Sequence, residues 1–179
     1  MSIKRILPVW KEVTFYEMGL DARSLVTRTD LRGVVTFASK AYREMTGFKK
    51  EEIIGRSHNL VRHPFMPRKI FEQMWTSIKE GKNFTGYIMN MRKDGTYYWV
   101  EVTIDAIDKD GNIISTLASI GHQSRISNKK DIAGYVAIRR EPSRSEIREV
   151  EEYYRFLKKE ELKNKVYLKD VEKELLKIL

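Results

Sequence analysis

The chain has 179 residues, 41% hydrophobic and 33% charged, with 4 prolines and 10 glycines, a composition that supports one core of ordinary size plus an appendage and argues against intrinsic disorder. It contains no cysteine, which removes disulfides, thiolate zinc sites and cysteine nucleophiles together. The net charge of +9 raises the prospect of nucleic acid, but residues 143–179 carry 10 Lys and Arg against 9 Asp and Glu. In the remainder the cations are scattered among acids, without the aromatic and basic run of a single-strand binding surface, so nucleic acid is not an expected partner.

The N-terminal stretch has Lys4 and Arg5 but no apolar run fit for an export signal, and nowhere does the chain approach the roughly eighteen consecutive apolar residues of a membrane span. A cytoplasmic location is the expectation. Val9, Trp10, Val13, Phe15, Tyr16 and Met18 follow no regular period; a short helix from Pro8 to near Gly19 is predicted, with residues 1–21 capping the main domain. Residues 24–30 and 34–37 read as two short antiparallel strands around the turn Leu31-Arg32-Gly33. Ser39 then caps a helix that turns Ala41, Tyr42 and Met45 inward and stops at Gly47, and residues 48–54 make a further helical turn.

Residues 57–67, Ser-His-Asn-Leu-Val-Arg-His-Pro-Phe-Met-Pro, hold two of the three histidines and two of the four prolines, a density of polar and ring-bearing groups unlike a mere connector. Pro67 suits the first turn of a helix, whose apolar face is Ile70, Phe71, Met74, Trp75 and Ile78, closed by Gly81. On spacing alone Trp75 reads as core. Asp94-Gly95 between two aromatic and β-branched runs, residues 83–92 and 96–104, is the strongest local signal in the chain, a hairpin that puts Ile88, Asn90 and Arg92 on one face. Of two later strand candidates, 132–140 is taken as the final strand; 113–120 extends the hairpin, and about 113–131 is read as an insertion with His122 on its surface. Ser143 and Glu146 form a capping box. Beyond it, Ile147, Val150, Tyr154 and Leu157 and then Leu168, Val171, Leu175 and Ile178 share one heptad frame with Glu161 and Asn164 between them. One continuous helix, or two that fold back or pair with another chain in a homodimer, both satisfy this pattern.

The order of elements, two strands, short helices, one longer helix and a three-strand meander, is that of the PAS fold: α+β, a five-stranded antiparallel sheet with helices on one face, here with a C-terminal helical extension. His58-Asn59-Leu60-Val61-Arg62-His63-Pro64, Met66-Pro67, Met74-Trp75, Arg92-Lys93-Asp94-Gly95 and Tyr98-Trp99-Val100 closely resemble the PAS domain of the aerotaxis receptor family and its stand-alone, bipartite relatives. The resemblance spans roughly residues 22–142 and leaves 143–179 as a signalling segment. It implies a noncovalently bound FAD whose redox state is reported, in aerotaxis or energy taxis, to a membrane-anchored chemotaxis signalling protein through the C-terminal helices, which would bring the chain to the membrane through its partner. It further implies that His58, Arg62 and His63 shape the flavin pocket, that Trp75 helps hold the cofactor, and that Asn90 meets the flavin edge. Two departures stand out: Phe65 replaces a common acidic residue, and Ser39, which would make a shortened or water-bridged cofactor contact, replaces a common asparagine.

The chemistry of these residues fits that reading and leaves others open. One carboxamide, that of Asn90, supplies both donor and acceptor for a heterocycle edge, and Arg62 suits either a phosphate or a helix terminus. The two histidines are equally consistent with hydrogen-bonded structural roles around Pro64. Without a thiol, a flavin cannot be bonded to cysteine. A haem or small-ligand sensor using His58, His63 or His122, and a cofactor-free adaptor in which Trp75 is core, are the alternatives. No nucleophile, base and orienting group assemble with any specificity, and no His-Glu-x-x-His spacing occurs, so enzyme activity and a metal site are not expected.

Overall fold

A computed structural model of the protein describes residues 6–21, 23–115 and 131–179. Strands β1 (Leu25–Thr29), β2 (Val35–Ala38), β3 (Phe84–Met91), β4 (Tyr97–Ile107) and β5 (Gly134–Arg140) form one sheet in the order β2-β1-β5-β4-β3, with every neighbouring pair antiparallel. The fold is α+β, as expected. Period-two alternation sets its two faces: along β4, Tyr98, Val100, Val102, Ile104 and Ala106 all point into the core and are at most 8% exposed. Helices α1 (Lys40–Thr46), α2 (Lys50–Ile53) and α3 (Arg68–Lys79) follow β2, and α4 (Arg144–Lys163) and α5 (Asp170–Ile178) close the chain.

Local chemistry fixes the connections. Ser39 Oγ accepts the Tyr42 N–H at 3.2 Å, capping α1, and also the Val26 N–H at 3.2 Å, which ties that cap to β1. Ala41, Tyr42 and Met45 are buried on the inner face of α1. The Asp94 carboxylate accepts the Thr96 N–H at 3.0 Å, and Gly95 takes φ 90°, closing the β3–β4 hairpin.

Three expectations are corrected. No helix starts at Pro8: the Val9 N–H bonds Gly95 O and the Val13 N–H bonds Tyr97 O, each at 2.8 Å, while Tyr97 returns a bond to Lys11 O. Groups that a helix would pair internally are satisfied by the hairpin, so the segment lies alongside it and ends in a turn that buries Phe15. Pro67 is the N-cap of α3 and not its first helical residue. The C-terminal stripe does not keep one heptad frame: the buried face of α4 runs Ile147, Tyr154, Lys158, Leu162, stepping by four beyond Tyr154, because a straight helix at 3.6 residues per turn drifts away from a seven-residue repeat. α4 ends at Asn164, and α5 folds back so that Leu175 is fully buried and Ile178 O accepts from Arg155 at 2.7 Å. Of the predicted 113–120 strand, the bridge of Ile113 to Ile107 is present; residues 116–130, with His122, lie outside the described residues.

α4 packs on the side of the β3–β4 pair opposite the inner face. Tyr154 sits 6.2 Å from the Trp99 ring and donates its hydroxyl to Tyr87 O at 2.8 Å. Phe65 completes this cluster, 2% exposed, edge-on to Trp99 at 6.4 Å and beneath the Arg155 guanidinium at 5.9 Å. Lys158 Nζ pairs with Glu161 at 2.9 Å, and the other Glu161 oxygen accepts the Arg68 N–H at 2.8 Å, so α4 supplies the side-chain cap that Pro67 cannot give α3.

His63 belongs to this framework. It is fully buried between Trp10 (4.9 Å) and Tyr97 (5.4 Å), its Nδ1 accepting the Phe65 N–H at 3.2 Å. Burial, with the Lys158 charge adding to it, lowers its pKa to about 3. The unfolded chain therefore takes up this proton first, and stability falls as pH drops from about 6.5 towards 3.

Two outcomes follow. Phe65→Ala should lower the unfolding free energy by about 3–5 kcal/mol in urea titrations; a loss below about 1 kcal/mol would contradict the packing described. Between pH 7 and pH 5 the protein should lose about 2 kcal/mol for each histidine held neutral, and His63→Asn should remove its share of that dependence; an unchanged slope would contradict it.

Candidate functional site

Residues 57–62 cross from one edge of the sheet to the other. At one end Ser57 bridges Val34 beside β2, with the His58 N–H on Gly33 O at 3.0 Å; at the other Arg62 bridges Asn90 on the free edge of β3. A 3-10 turn, His58–Val61, shapes the crossing, with Ser57 Oγ accepting the Asn59 N–H. Between this strap, α3 and the inner face of the sheet lies a cavity.

Its walls are apolar where they meet α3 and the sheet: Phe71, Met74, Trp75 and Ile78 face Ile88, Val102, Ile104, Tyr135 and Ala137. Trp75 and Tyr135 meet edge to face at 5.8 Å. Gly33 makes that wall possible, because at φ 79° a Cβ would sit 3.2 Å from the Trp75 ring. The polar groups are few and convergent, chiefly Asn90, His58, Arg62, Thr27 and Arg139, and among the described lining residues there is no Asp or Glu. The free interior measures about 100 Å³; a surface groove of about 520 Å³ shares Arg32, Arg62, Phe71 and Trp75 with it and adds Arg68, Lys79 and Glu72. The interior alone is smaller than the roughly 300–1,000 Å³ of ligand sites, and the groove brings the whole into that range.

Asn90 is 3% exposed and stands opposite Tyr98 in the β3–β4 register; the buried Tyr98 hydroxyl has no hydrogen-bond partner and a pKa that burial pushes well up. Arg62 stacks its guanidinium 3.4 Å above the Phe71 ring, and its buried Nε has no hydrogen-bond partner. Burial lowers the Arg62 pKa, and Glu161 counters this. His58 Nε2 lies 2.8 Å from Arg139 Nη2 and 3.3 Å from the Tyr42 hydroxyl. Burial first and the Arg139 charge second hold its pKa at about 3, so it is neutral. A planar heteroaromatic ring fits this donor set: apolar faces, an amide with both donor and acceptor at one edge, and an unsatisfied Arg62 N–H beside the mouth.

Four of the six residues singled out from the sequence, His58, Arg62, Trp75 and Asn90, line this one cavity. Ser39 and His63 are not among its lining residues; they hold α1 and the base of the strap. Sequence reasoning missed Arg139. Alternation along 133–140 was the available signal, since it puts Tyr135, Ala137 and Arg139 on one face, and all three line the cavity. Among the described residues no cluster of three metal-ligating side chains occurs, and no helix is long and apolar enough to cross a membrane.

A family model for the PAS fold matches residues 35–120. The aerotaxis receptor of Escherichia coli (strain K12) is 31% identical over 137 residues, 76% of this chain and 23% of the receptor. The nitrogen fixation regulatory protein of Klebsiella pneumoniae is 26% identical over 93 residues, 52% of this chain and 19% of that protein. The chain thus spans about a quarter or less of the length of these relatives. Among solved structures, a light-oxygen-voltage domain studied with a flavin analogue aligns with a TM-score of 0.54 at 21% identity, covering 84% of this chain and 97% of that one. The PAS domain of a Colwellia psychrerythraea protein aligns at 0.51 and 22% identity, covering 66% and 86%. The chain therefore has the PAS fold, with the family model matching residues 35–120, and is similar in sequence to the aerotaxis receptor.

Proposed function

We propose that the protein is a redox sensor that binds FAD in the cavity beneath the strap and passes the state of the flavin to a signalling partner through α4 and α5. The observation that carries this reading is a cavity with apolar faces, one amide on its sheet wall, and cations without a carboxylate among the described lining residues. The likeness to the aerotaxis receptor supports the same reading. A bound flavin supplies reversible electron uptake coupled to proton uptake.

The chain's own residues then have separable tasks. Trp75, Phe71 and Ile88 supply faces for the rings, and Asn90 directs the edge through its amide. In the groove Arg32, Arg62, Arg68 and Lys79 outnumber one carboxylate, Glu72, leaving the positive charge that a diphosphate requires. Asn90 can exchange donor for acceptor by turning its terminal torsion, and so can answer a changed protonation at the ligand edge. Asn90 pairs with Tyr98 across β3 and β4, and β4 pairs with β5, which leads into α4. At that junction Arg140 pairs with both Glu101 and Glu146, and Glu146 is the partner of Ser143 in the capping box of α4, its pKa lowered to about 2 by Arg140 first and by the Ser143 bonds next. A change in β5 therefore acts directly on the start of α4. A membrane-anchored chemotaxis signalling protein is the partner this reading proposes.

Haem ligation is less well supported. His58 Nε2 is engaged by Arg139 and Tyr42, and His63 packs outside the cavity lining.

The purified protein should be yellow, with a flavin absorbance that bleaches on reduction, and should release FAD on denaturation. Asn90→Leu should weaken FAD binding by about tenfold or more in equilibrium titrations, the worth of a lost amide pair. A colourless protein that does not take up FAD would overturn the reading, and an intense haem band would replace it with the haem alternative.

A further inference from the structure

Arg139 is a buried cation without a carboxylate partner among the described residues. It is 3% exposed, on the inner face of β5, and lines the cavity. Its Nη1 donates to Thr27 Oγ1 at 3.0 Å and Ala137 O at 3.3 Å, its Nη2 reaches His58 Nε2 at 2.8 Å, and its Cζ lies 5.1 Å from the Tyr42 ring centre. All of these partners are neutral. A guanidinium can only donate, so His58 Nε2 is the acceptor and the imidazole carries its proton on Nδ1.

The two other arginines of the cavity are better placed. Arg32 pairs with Asp30 at 3.1 Å, and Arg62 feels the Glu161 carboxylate and stacks on Phe71. Arg139 has no carboxylate partner among the described residues. A buried cation held only by neutral dipoles recovers its lost hydration incompletely, and a ligand that brings negative charge into the cavity supplies the missing counter-ion.

Resting on the flavin reading, we propose that Arg139 selects the charge state of the ligand: it favours the reduced, mono-anionic flavin over the neutral oxidised one and so sets the potential at which the sensor switches. The conversion balances without any bond in the protein forming or breaking. Two electrons from an external reductant, dithionite in the test below, and one proton from water turn the neutral ring system into a mono-anion. Arg139 responds by sharing its Nη2 donor between His58 and the new charge. Its position makes that response consequential, because the next residue, Arg140, holds Glu101 and the capping Glu146 of α4.

By linkage, any preference for the reduced form appears as a raised midpoint potential, with tenfold in relative affinity equal to about 30 mV for a two-electron couple. The test compares full-length protein with Arg139→Gln, which keeps a donor but removes the charge, and Arg139→Lys, which keeps the charge. Oxidised FAD affinity and midpoint potential are measured on each, by dithionite titration against an indicator dye at one neutral pH. Arg139→Gln should lose at least about tenfold more affinity for the reduced form than for oxidised FAD, a midpoint about 30 mV lower or more. Arg139→Lys should retain most of the wild-type potential. An unchanged midpoint in Arg139→Gln, or equal shifts in both variants, would overturn the proposal. Should Arg139→Gln not fold, the wild type alone decides: its midpoint must lie above that of free FAD, and a value at or below it overturns the assignment. Wild type that binds no flavin defeats the flavin reading and this proposal together, whereas flavin binding with an Arg139-independent potential defeats only this one.

Discussion

The structure depends on one constraint, the pinning of residues 57–62 across the two edges of a five-stranded sheet. An open sheet of this kind leaves unpaired N–H and C=O groups on its outer strands, which invite other chains. Here the same short stretch answers both edges, through Val34 and Gly33 on the β2 side and Asn90 on the β3 side. Once both ends are fixed, the strap must stand away from the sheet between them. The space beneath it is the cavity, closed on its remaining side by α3.

The strap also joins the two sides of the molecule. The strap presents His58 and Arg62 to the cavity, while the residues that follow it reach α4. Phe65 packs with Trp99 under Arg155, Met66 O lies 3.5 Å from Lys158 Nζ, and Glu161 accepts the first N–H of α3. Cavity and C-terminal helices therefore share a wall instead of communicating only through β5. A ligand that shifts α3 or the strap alters the same contacts that hold α4 in place.

Much of this was legible in the sequence where the physics is local. The Asp94-Gly95 hairpin, the Ser39 cap and the Ser143–Glu146 capping box depend on groups a few residues apart, and each forms as read. Of the residues read with the motif from His58 to Pro67, four line one cavity. What could not be read is set by distance in the chain. His63 and Phe65 lie within three residues of Arg62, yet they turn towards Tyr97 and Trp99, partners more than thirty positions away. Arg139 looked like an ordinary strand residue because its surroundings come from Thr27, Tyr42 and His58. The departure from the heptad frame in α4 likewise follows from the surface it meets: Lys158 is buried because Met66 O and Glu161 are there to receive it.

The most direct test of the account is an amide nitrogen–proton NMR titration of the protein with FAD. The account predicts that shifts concentrate on the strap at residues 57–62, on α3 around Phe71 and Trp75, and on the inner-face positions Asn90, Val102 and Arg139, with smaller changes at the start of α4. Shifts confined to the α4–α5 surface, around Tyr153 and Phe156, or no shifts at saturating FAD, would contradict it.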